Sequence, residues 1–176
     1  MDIDHIARRL RRERLMSPNG DNLRLGVETV ERMIPHREPM RLVDDIVSFD
    51  LEHKTIRGRR HVARDDPFFG GHFPGAPIYP GVLLLESLGQ LGLGLAWLDA
   101  HGGDLTTGVG PVDARLFKIH HACFLRPVGP GETITLDACA LEQDALTGVI
   151  AGQVWCDDAL CATGVVEVYF GQGENQ

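Results

Sequence analysis

The chain has 176 residues, of which 43% are hydrophobic and 24% are charged, so it fits one domain, or one domain with a tail, and is not disordered by composition. A net charge of −8 and a pI of about 5.4 argue against nucleic acid as its main partner. The four cysteines form no CxxC pair, which predicts reduced thiols in a cytoplasmic protein.

The first 22 residues are expected to form a basic extension ahead of a main domain over 23–176. They are charged throughout and lack the apolar core of a secretory signal. The segment ends in SPNGD, which is typical of a turn or linker. Its arginines indicate a solvated helix face or, alternatively, a patch for an acidic partner: Arg8, Arg9, Arg11, Arg12 and Arg14.

After the extension, the periodicity predicts two helices and six strands. In chain order these are an amphipathic helix over 27–34 that Pro35 ends, strands over 40–49 and 55–63, an irregular loop over 64–79, a long helix over 80–98 that the glycines of HGGD cap, and strands over 114–125, 133–141, 147–156 and 160–170. One long helix followed by a run of strands predicts an α+β fold, in which an antiparallel sheet packs on that helix.

The long helix is apolar on all sides, which is typical of a helix buried inside a soluble fold. It could be mistaken for a membrane span, but Glu86, Ser87, Gln90 and four glycines at 81, 89, 92 and 94 make that reading unfavourable. We therefore expect no membrane association.

The stretch GGHFPGAPIYPGVLLLESLGQ, over 70–90, concentrates groups suited to catalysis. His72 is the side chain best suited to proton transfer near neutral pH. Pro80 and Gly81 begin a helix whose free N–H groups favour an oxyanion. Glu86 lies among leucines, where burial is expected to raise its pKa, and Gln90 shares its face at i+4. These parts fit removal of a proton α to a carbonyl and expulsion of a β-hydroxyl.

Structural readings of the same residues stay open at this point. A histidine in a turn often only hydrogen-bonds the backbone, and a helical glutamate often pairs or reaches solvent. His120, His121 and Cys123 suggest a metal, but adjacent strand residues face opposite sides, so only His121 and Cys123 share a face. Two ligands are too few, and we expect no metal.

Three segments resemble the β-hydroxyacyl-(acyl-carrier-protein) dehydratase family. HFPGAPIYPGVLLLESLGQ resembles its GHFPG turn, PG helix start and apolar helix with an acid followed by a glutamine. IPHREPMRLVDDI, over 34–46, resembles its helix end and first strand, and RPVGPGE, over 126–132, resembles its RPV-x-PG turn. The matches run in the family's order from about Val27 to Glu132.

The resemblance implies a hot-dog fold, in which a curved antiparallel sheet wraps one long central helix. It implies dehydration of a 3-hydroxyacyl thioester to the trans-2-enoyl thioester, without metal or organic cofactor, on a substrate carried by acyl carrier protein. It assigns His72 as the catalytic histidine, Glu86 as the acid, the Gly81 N–H to the thioester carbonyl and Gln90 to positioning the carboxyl group. Glu86 resembles the dehydration-only branch, since the isomerising branch has aspartate there.

Family members pair into homodimers with shared active sites, and some stack as trimers of dimers. His36 matches a family motif and is expected to pack or hydrogen-bond structurally. An acidic carrier protein needs basic docking residues, for which the candidates are Arg57, Arg59, Arg60, Lys118 and Arg126, with the N-terminal arginines a weaker choice.

Two departures from the family bear on the substrate. The segment before RPVGPG is several residues too long and holds two candidate aromatics, Phe117 and Phe124, for the wall of the acyl pocket. The first 22 residues are not family-like. The alternatives to a carrier-protein dehydratase are another hot-dog thioester enzyme, a coenzyme-A hydratase or thioesterase, and a non-catalytic acyl-binding partner subunit.

Overall fold

The long helix lies against one antiparallel sheet, as seen in a computed structural model that describes residues 1–17, 23–106 and 110–171. In these residues the elements are α1 (Ile3–Leu10), α2 (Val27–Met33), β1 (Asp45–Asp50), β2 (Thr55–His61), a 3-10 turn (Pro67–Gly70), α3 (Gly81–Ala100), β3 (Ala114–Phe124), β4 (Thr133–Gln143), β5 (Thr147–Cys156) and β6 (Ala159–Phe170). The strand order is β1-β2-β4-β5-β6-β3, antiparallel throughout. The predicted α+β, hot-dog architecture is confirmed.

Helix α3 forms the centre of the core. Leu88, Leu91 and Leu95 are almost fully buried against the inner face of the sheet, and each contributes about 1.5–3 kcal/mol through burial. A side chain at Gly92 would meet the Ile150 side chain at 2.2 Å, so glycine there lets β5 approach. Although α3 is long and apolar enough to cross a membrane, 78% of that stretch is buried inside the fold.

Gly89, in contrast to Gly92, does not allow close approach of a strand. A Cβ at Gly89 would have no neighbour within 4 Å, and this glycine lines a cavity instead of touching the sheet. Its small size therefore leaves open space beside the helix.

The ends of α3 follow the sequence signals closely. Pro80 is the residue before the first helical residue, Gly81, one position earlier than its expected place inside the first turn. At the other end Gly102 and Gly103 adopt positive φ, and the Gly103 N–H donates to the Leu98 carbonyl at 2.8 Å. Two glycines thus close the helix, as predicted.

The first strand is shorter than predicted, because it begins at Asp45 and not at 40. The backbone of Met40 and Leu42 is bonded to the side-chain amide of Gln90, not to a neighbouring strand. The other strand boundaries agree with the prediction to within two residues.

The basic extension covers the outer face of the sheet. Ile6 and Leu10 of α1, together with Leu15, pack on Val149 and Val165. The predicted solvated helix face is therefore only one side of α1, and its other side is apolar. Most of the SPNGD turn (residues 18–21) and the start of the lengthened segment (residues 107–109) lie outside the described residues.

Strand β3 lies at one edge of the sheet and exposes apolar side chains. Phe117 is 70% exposed, and Leu116, Ile119 and Phe124 are each about half exposed. An edge strand of this composition is a template for pairing with another chain.

Candidate active site

Glu86 lies in a cavity of about 380 Å³ between α3 and the sheet. Most of the lining is apolar and includes Leu93, Leu116 and Val168. His36 and Glu86 are the titratable residues among the described residues that line it. The cavity therefore combines an apolar wall with a single acid, which suits an acyl chain with one reacting polar group.

Gln90 has a fixed orientation beside Glu86. Its carbonyl oxygen accepts from the Leu42 N–H at 2.8 Å, and its Nε2 donates to the Met40 carbonyl at 2.7 Å. If the amide were flipped, its nitrogen would face the Leu42 N–H and its oxygen would face the Met40 carbonyl, so both hydrogen bonds would be lost. The remaining N–H of Nε2 donates to Glu86 Oε1 at 3.0 Å, so the predicted neighbour relation at i+4 is present.

The expectation of a raised pKa for Glu86 is wrong for the single chain. The His36 ring contacts the carboxylate at 3.3 Å, and this hydrogen bond is the main reason that the pKa of Glu86 is lowered. Burial acts in the opposite direction but is incomplete, since 28% of the side chain is exposed. His36 thus bonds the site carboxylate itself.

His72 follows the 3-10 turn and is oriented by the backbone. Its Nδ1 is 2.8 Å from the Ile78 carbonyl, which can only accept, so Nδ1 carries the hydrogen. The Ile78 N–H in turn donates to the His72 carbonyl at 2.9 Å, and the ring stacks on Phe73. The other ring nitrogen, Nε2, is then available as a base.

His72 and Gly81 line a second cavity, of about 500 Å³. The first N–H groups of α3 have no partner within the helix and point from its start, where the helix dipole favours negative charge. A side chain at Gly81 would collide with the Phe124 ring at 2.9 Å. Of the two candidate aromatics, Phe124 therefore lies beside the candidate oxyanion position.

Within one chain the predicted site residues form two pairs. Glu86 and Gln90 share the first cavity, His72 and Gly81 share the second, and among the described residues only Val82 lines both. The described chain does not bring the candidate base and the candidate acid into one cavity.

The residues predicted to dock the carrier protein differ in how deeply they are buried. Arg57 is 2% exposed and paired with Asp137, while Arg60 is 7% exposed and bonded to Asp44 and Asp66, so neither can meet a partner. Both expectations are wrong. The two side chains lie on opposite faces of β2: Arg57 is covered by the N-terminal segment at Ser17, and Arg60 is enclosed by its two carboxylate partners. Arg126, in contrast, is partly exposed, bonds Glu132 and lines the His72 cavity.

The histidines of β3 have separate partners. His120 lies 2.7 Å from a carboxylate oxygen of Glu167, and His121 lies 3.2 Å from the Thr163 hydroxyl. Within the described residues, no group of three or more potential ligands could hold a metal ion.

Comparison with known proteins agrees with this architecture. The FabA-like domain family matches residues 34–164. The 3-hydroxyacyl-(acyl-carrier-protein) dehydratase FabZ of Chlamydia trachomatis is 39% identical over 65% of this chain and 71% of its own. The enzyme of the same name from Aeromonas hydrophila is 36% identical over 78% of this chain and 93% of its own.

Among solved structures, the dehydratase heterocomplex ApeI:P from Xenorhabdus doucetiae superposes with a TM-score of 0.65 at 20% identity, over 82% of this chain and 91% of that chain. This likeness shows the fold alone, a hot-dog domain. The sequence matches go further: the chain belongs to the FabA-like family of 3-hydroxyacyl-(acyl-carrier-protein) dehydratases, which confirms the resemblance found in its motifs.

Proposed function

We propose that this chain removes water from a 3-hydroxyacyl thioester carried by acyl carrier protein and forms the trans-2-enoyl thioester. The observation that carries the proposal is the polar geometry of the two cavities. One presents a histidine with a free Nε2 beside a helix N-terminus, and the other presents a carboxyl group held in an apolar groove. The relatives named above are dehydratases of this substrate class.

The chemistry assigns one role to each group. His72 Nε2 takes a proton from C2 of the substrate while the thioester oxygen lies against the first N–H groups of α3, including that of Gly81. The C2 electron pair forms the double bond to C3, and the C3–O bond breaks. Glu86 gives its proton to the leaving hydroxyl, which departs as water. Proton exchange with solvent then returns a proton to Glu86 and removes one from His72.

A complete site requires a second copy of the chain. The base and the acid line different cavities of one chain, and apolar residues are exposed at the β3 edge and beside His72: Phe73, Val82, Phe117 and Ile119. We infer an isologous homodimer in which His72 of one protomer serves Glu86 of its partner. Closure by the partner would also remove water from Glu86, which raises its pKa toward that of a proton donor. Assembly into trimers of dimers belongs to the same proposal.

The carrier protein is expected to dock where Arg126 borders the His72 cavity. Carrier proteins are acidic, and a local cation offsets the repulsion from the chain's net charge of −8. Residues 23–176 would form the catalytic domain, without cofactor, metal, nucleic acid or membrane. The four cysteines are free thiols, which supports a reducing, cytoplasmic location. Glu86 favours dehydration without isomerisation.

The test compares carriers on purified protein. We expect turnover of 3-hydroxyacyl carrier-protein thioesters, followed by absorbance of the enoyl thioester, to exceed turnover of the matching coenzyme-A thioesters. A graded series of acyl lengths would then define the chain length. A preference for coenzyme-A thioesters would indicate a hydratase or thioesterase, and no turnover of any of them would indicate a non-catalytic partner subunit.

A further inference from the structure

The carboxyl group of Glu86 has two unequal oxygens. Oε1 is contacted by Gln90 Nε2 at 3.0 Å and by His36 Nε2 at 3.3 Å. Among the described residues, no protein hydrogen bond to Oε2 is found, and Oε2 is not a buried atom left without a partner. The two oxygens of the acid are therefore already distinguished before substrate binds.

Gln90 can only donate to Oε1. Its carbonyl oxygen is occupied by the Leu42 N–H, and one N–H is occupied by the Met40 carbonyl. Reversing the amide would break both backbone bonds, so the side chain offers Glu86 an N–H and not an oxygen.

His36 is a donor for a separate reason. Its Nδ1 is buried and has no hydrogen-bond partner within the described part of the chain. A buried N–H without an acceptor is costly, so the hydrogen belongs on Nε2, the nitrogen that faces Glu86. Oε1 then faces two N–H donors, Nε2 of His36 and Nε2 of Gln90, and we infer that the proton of the carboxyl group sits on Oε2.

Building on the function proposed above, we propose that His36 is a positioning residue that clamps Oε1 of Glu86 together with Gln90, so that Oε2 delivers the proton to the leaving hydroxyl. The proton passes from Oε2 to the substrate oxygen while the electron pair of the breaking C–O bond stays on that oxygen. Glu86 remains as a carboxylate whose charge rests against two N–H donors.

The position of His36 in the fold agrees with this role. His36 follows the short helix α2, and the segment from His36 to Leu42 passes the Glu86 face of α3. His36 and Glu86 are the titratable side chains lining this cavity among the described residues, so the acid has one titratable neighbour from its own chain. In the proposed dimer the partner's His72 would be the second.

The test uses His36→Ala, which removes the donor, and His36→Gln, whose amide nitrogen can replace Nε2. We expect His36→Ala to lower kcat about 10- to 100-fold with KM changed little, because the acid is bound but misplaced. His36→Gln should recover most of the loss. The matched control is His101→Ala, since His101 is likewise a histidine held by a contact to α3, but it lies at the far end of that helix, where it stacks on Trp97 and bonds the Trp97 carbonyl.

A second readout does not depend on turnover. The ¹³C carboxyl resonance of Glu86 is assigned as the signal lost in Glu86→Gln and is followed against pH in each folded variant. Losing a donor to the carboxylate raises the pKa, so the Glu86 titration should move to higher pH in His36→Ala and return in His36→Gln.

The proposal is overturned if Glu86 titrates alike in wild type and His36→Ala, or if His36→Gln is as impaired as His36→Ala. Failure of the proposed function would look different: wild type would turn over no carrier-bound substrate, while the titration of Glu86 could still respond to His36.

Discussion

Two clusters of polar side chains, one partly buried and one fully buried, lie on opposite faces of the same sheet and differ in how many of their polar atoms have hydrogen-bond partners. The Glu86 cluster (His36, Glu86 and Gln90) lies on the inner face and leaves one carboxylate oxygen facing a cavity. The Gln153 cluster (Arg57, Asp137 and Gln153) lies on the outer face beneath the N-terminal extension. Each buried side-chain nitrogen and oxygen of the Gln153 cluster has a partner.

The Gln153 cluster is a cross-strand row. Arg57, Asp137 and Gln153 are directly opposite one another on β2, β4 and β5. Arg57 bonds both oxygens of Asp137 and reaches the Ser17 carbonyl, while Gln153 holds the backbone of Leu10, Glu13 and Leu15. It fastens the extension to the sheet, and no atom is left for a substrate. In this molecule, completeness of hydrogen bonding therefore separates a structural polar cluster from the candidate reactive one.

The largest expected effect is the loss of kcat when the candidate acid or the candidate base is removed. Glu86→Ala and His72→Ala should each reduce kcat about 10²- to 10⁴-fold, the usual contribution of a general acid or base, while the fold persists. Glu86→Gln should also lose activity with little change in unfolding free energy, because shape is kept and the proton donor is lost. Steady-state kinetics and thermal unfolding measure the two quantities, and retention of a tenth of wild-type kcat would contradict the assigned role.

For the Gln153 cluster we expect the opposite result, a loss of stability with little change in kcat. Arg57→Ala leaves Asp137 buried without its main partner and should cost about 3–5 kcal/mol of unfolding free energy. Urea denaturation measures this, and Arg24→Ala, which removes a largely exposed arginine, is the control. At a temperature where both proteins are folded, kcat should be close to wild type. A normal unfolding free energy with low kcat would place Arg57 in function after all.

The sequence predicted the sheet and helix well because their periodicities are local properties. It also singled out His72, Gly81, Glu86 and Gln90 as the candidate site, because they occupy one stretch of the chain. It missed the bond from His36 to Glu86, which joins residues 50 positions apart and depends on how α2 meets α3. It also misjudged Arg57, because a lone arginine on a strand does not reveal that a segment from the N-terminus covers it.

Mixing two inactive variants should show whether His72 and Glu86 of one site come from different chains. The expected activity of the mixture is fourfold below that of wild type. In a dimer mixed from His72→Ala and Glu86→Ala chains, one site carries both defects and the other carries none. Random pairing makes about half of the dimers mixed, so refolding the two variants together should recover about a quarter of wild-type activity. Each variant refolded alone is the control. A mixture that stays inactive, while wild type refolds fully, would mean that both residues act within one chain.

The smallest expected effect concerns the carrier protein. Arg126 lines the His72 cavity and keeps 38% of its side chain exposed. Because it is a single charge that solvent and Glu132 partly screen, we expect it to contribute little to the affinity for the carrier protein. Arg126→Gln should raise KM for a carrier-bound substrate about two- to fivefold and leave KM for a short pantetheine thioester unchanged. The increase should shrink as salt is added, because added ions already screen the charge. Arg24→Gln, at an exposed arginine that lines neither cavity, is the matched control. An equal rise for both substrates would show that Arg126 supports the cavity wall and does not contact the carrier.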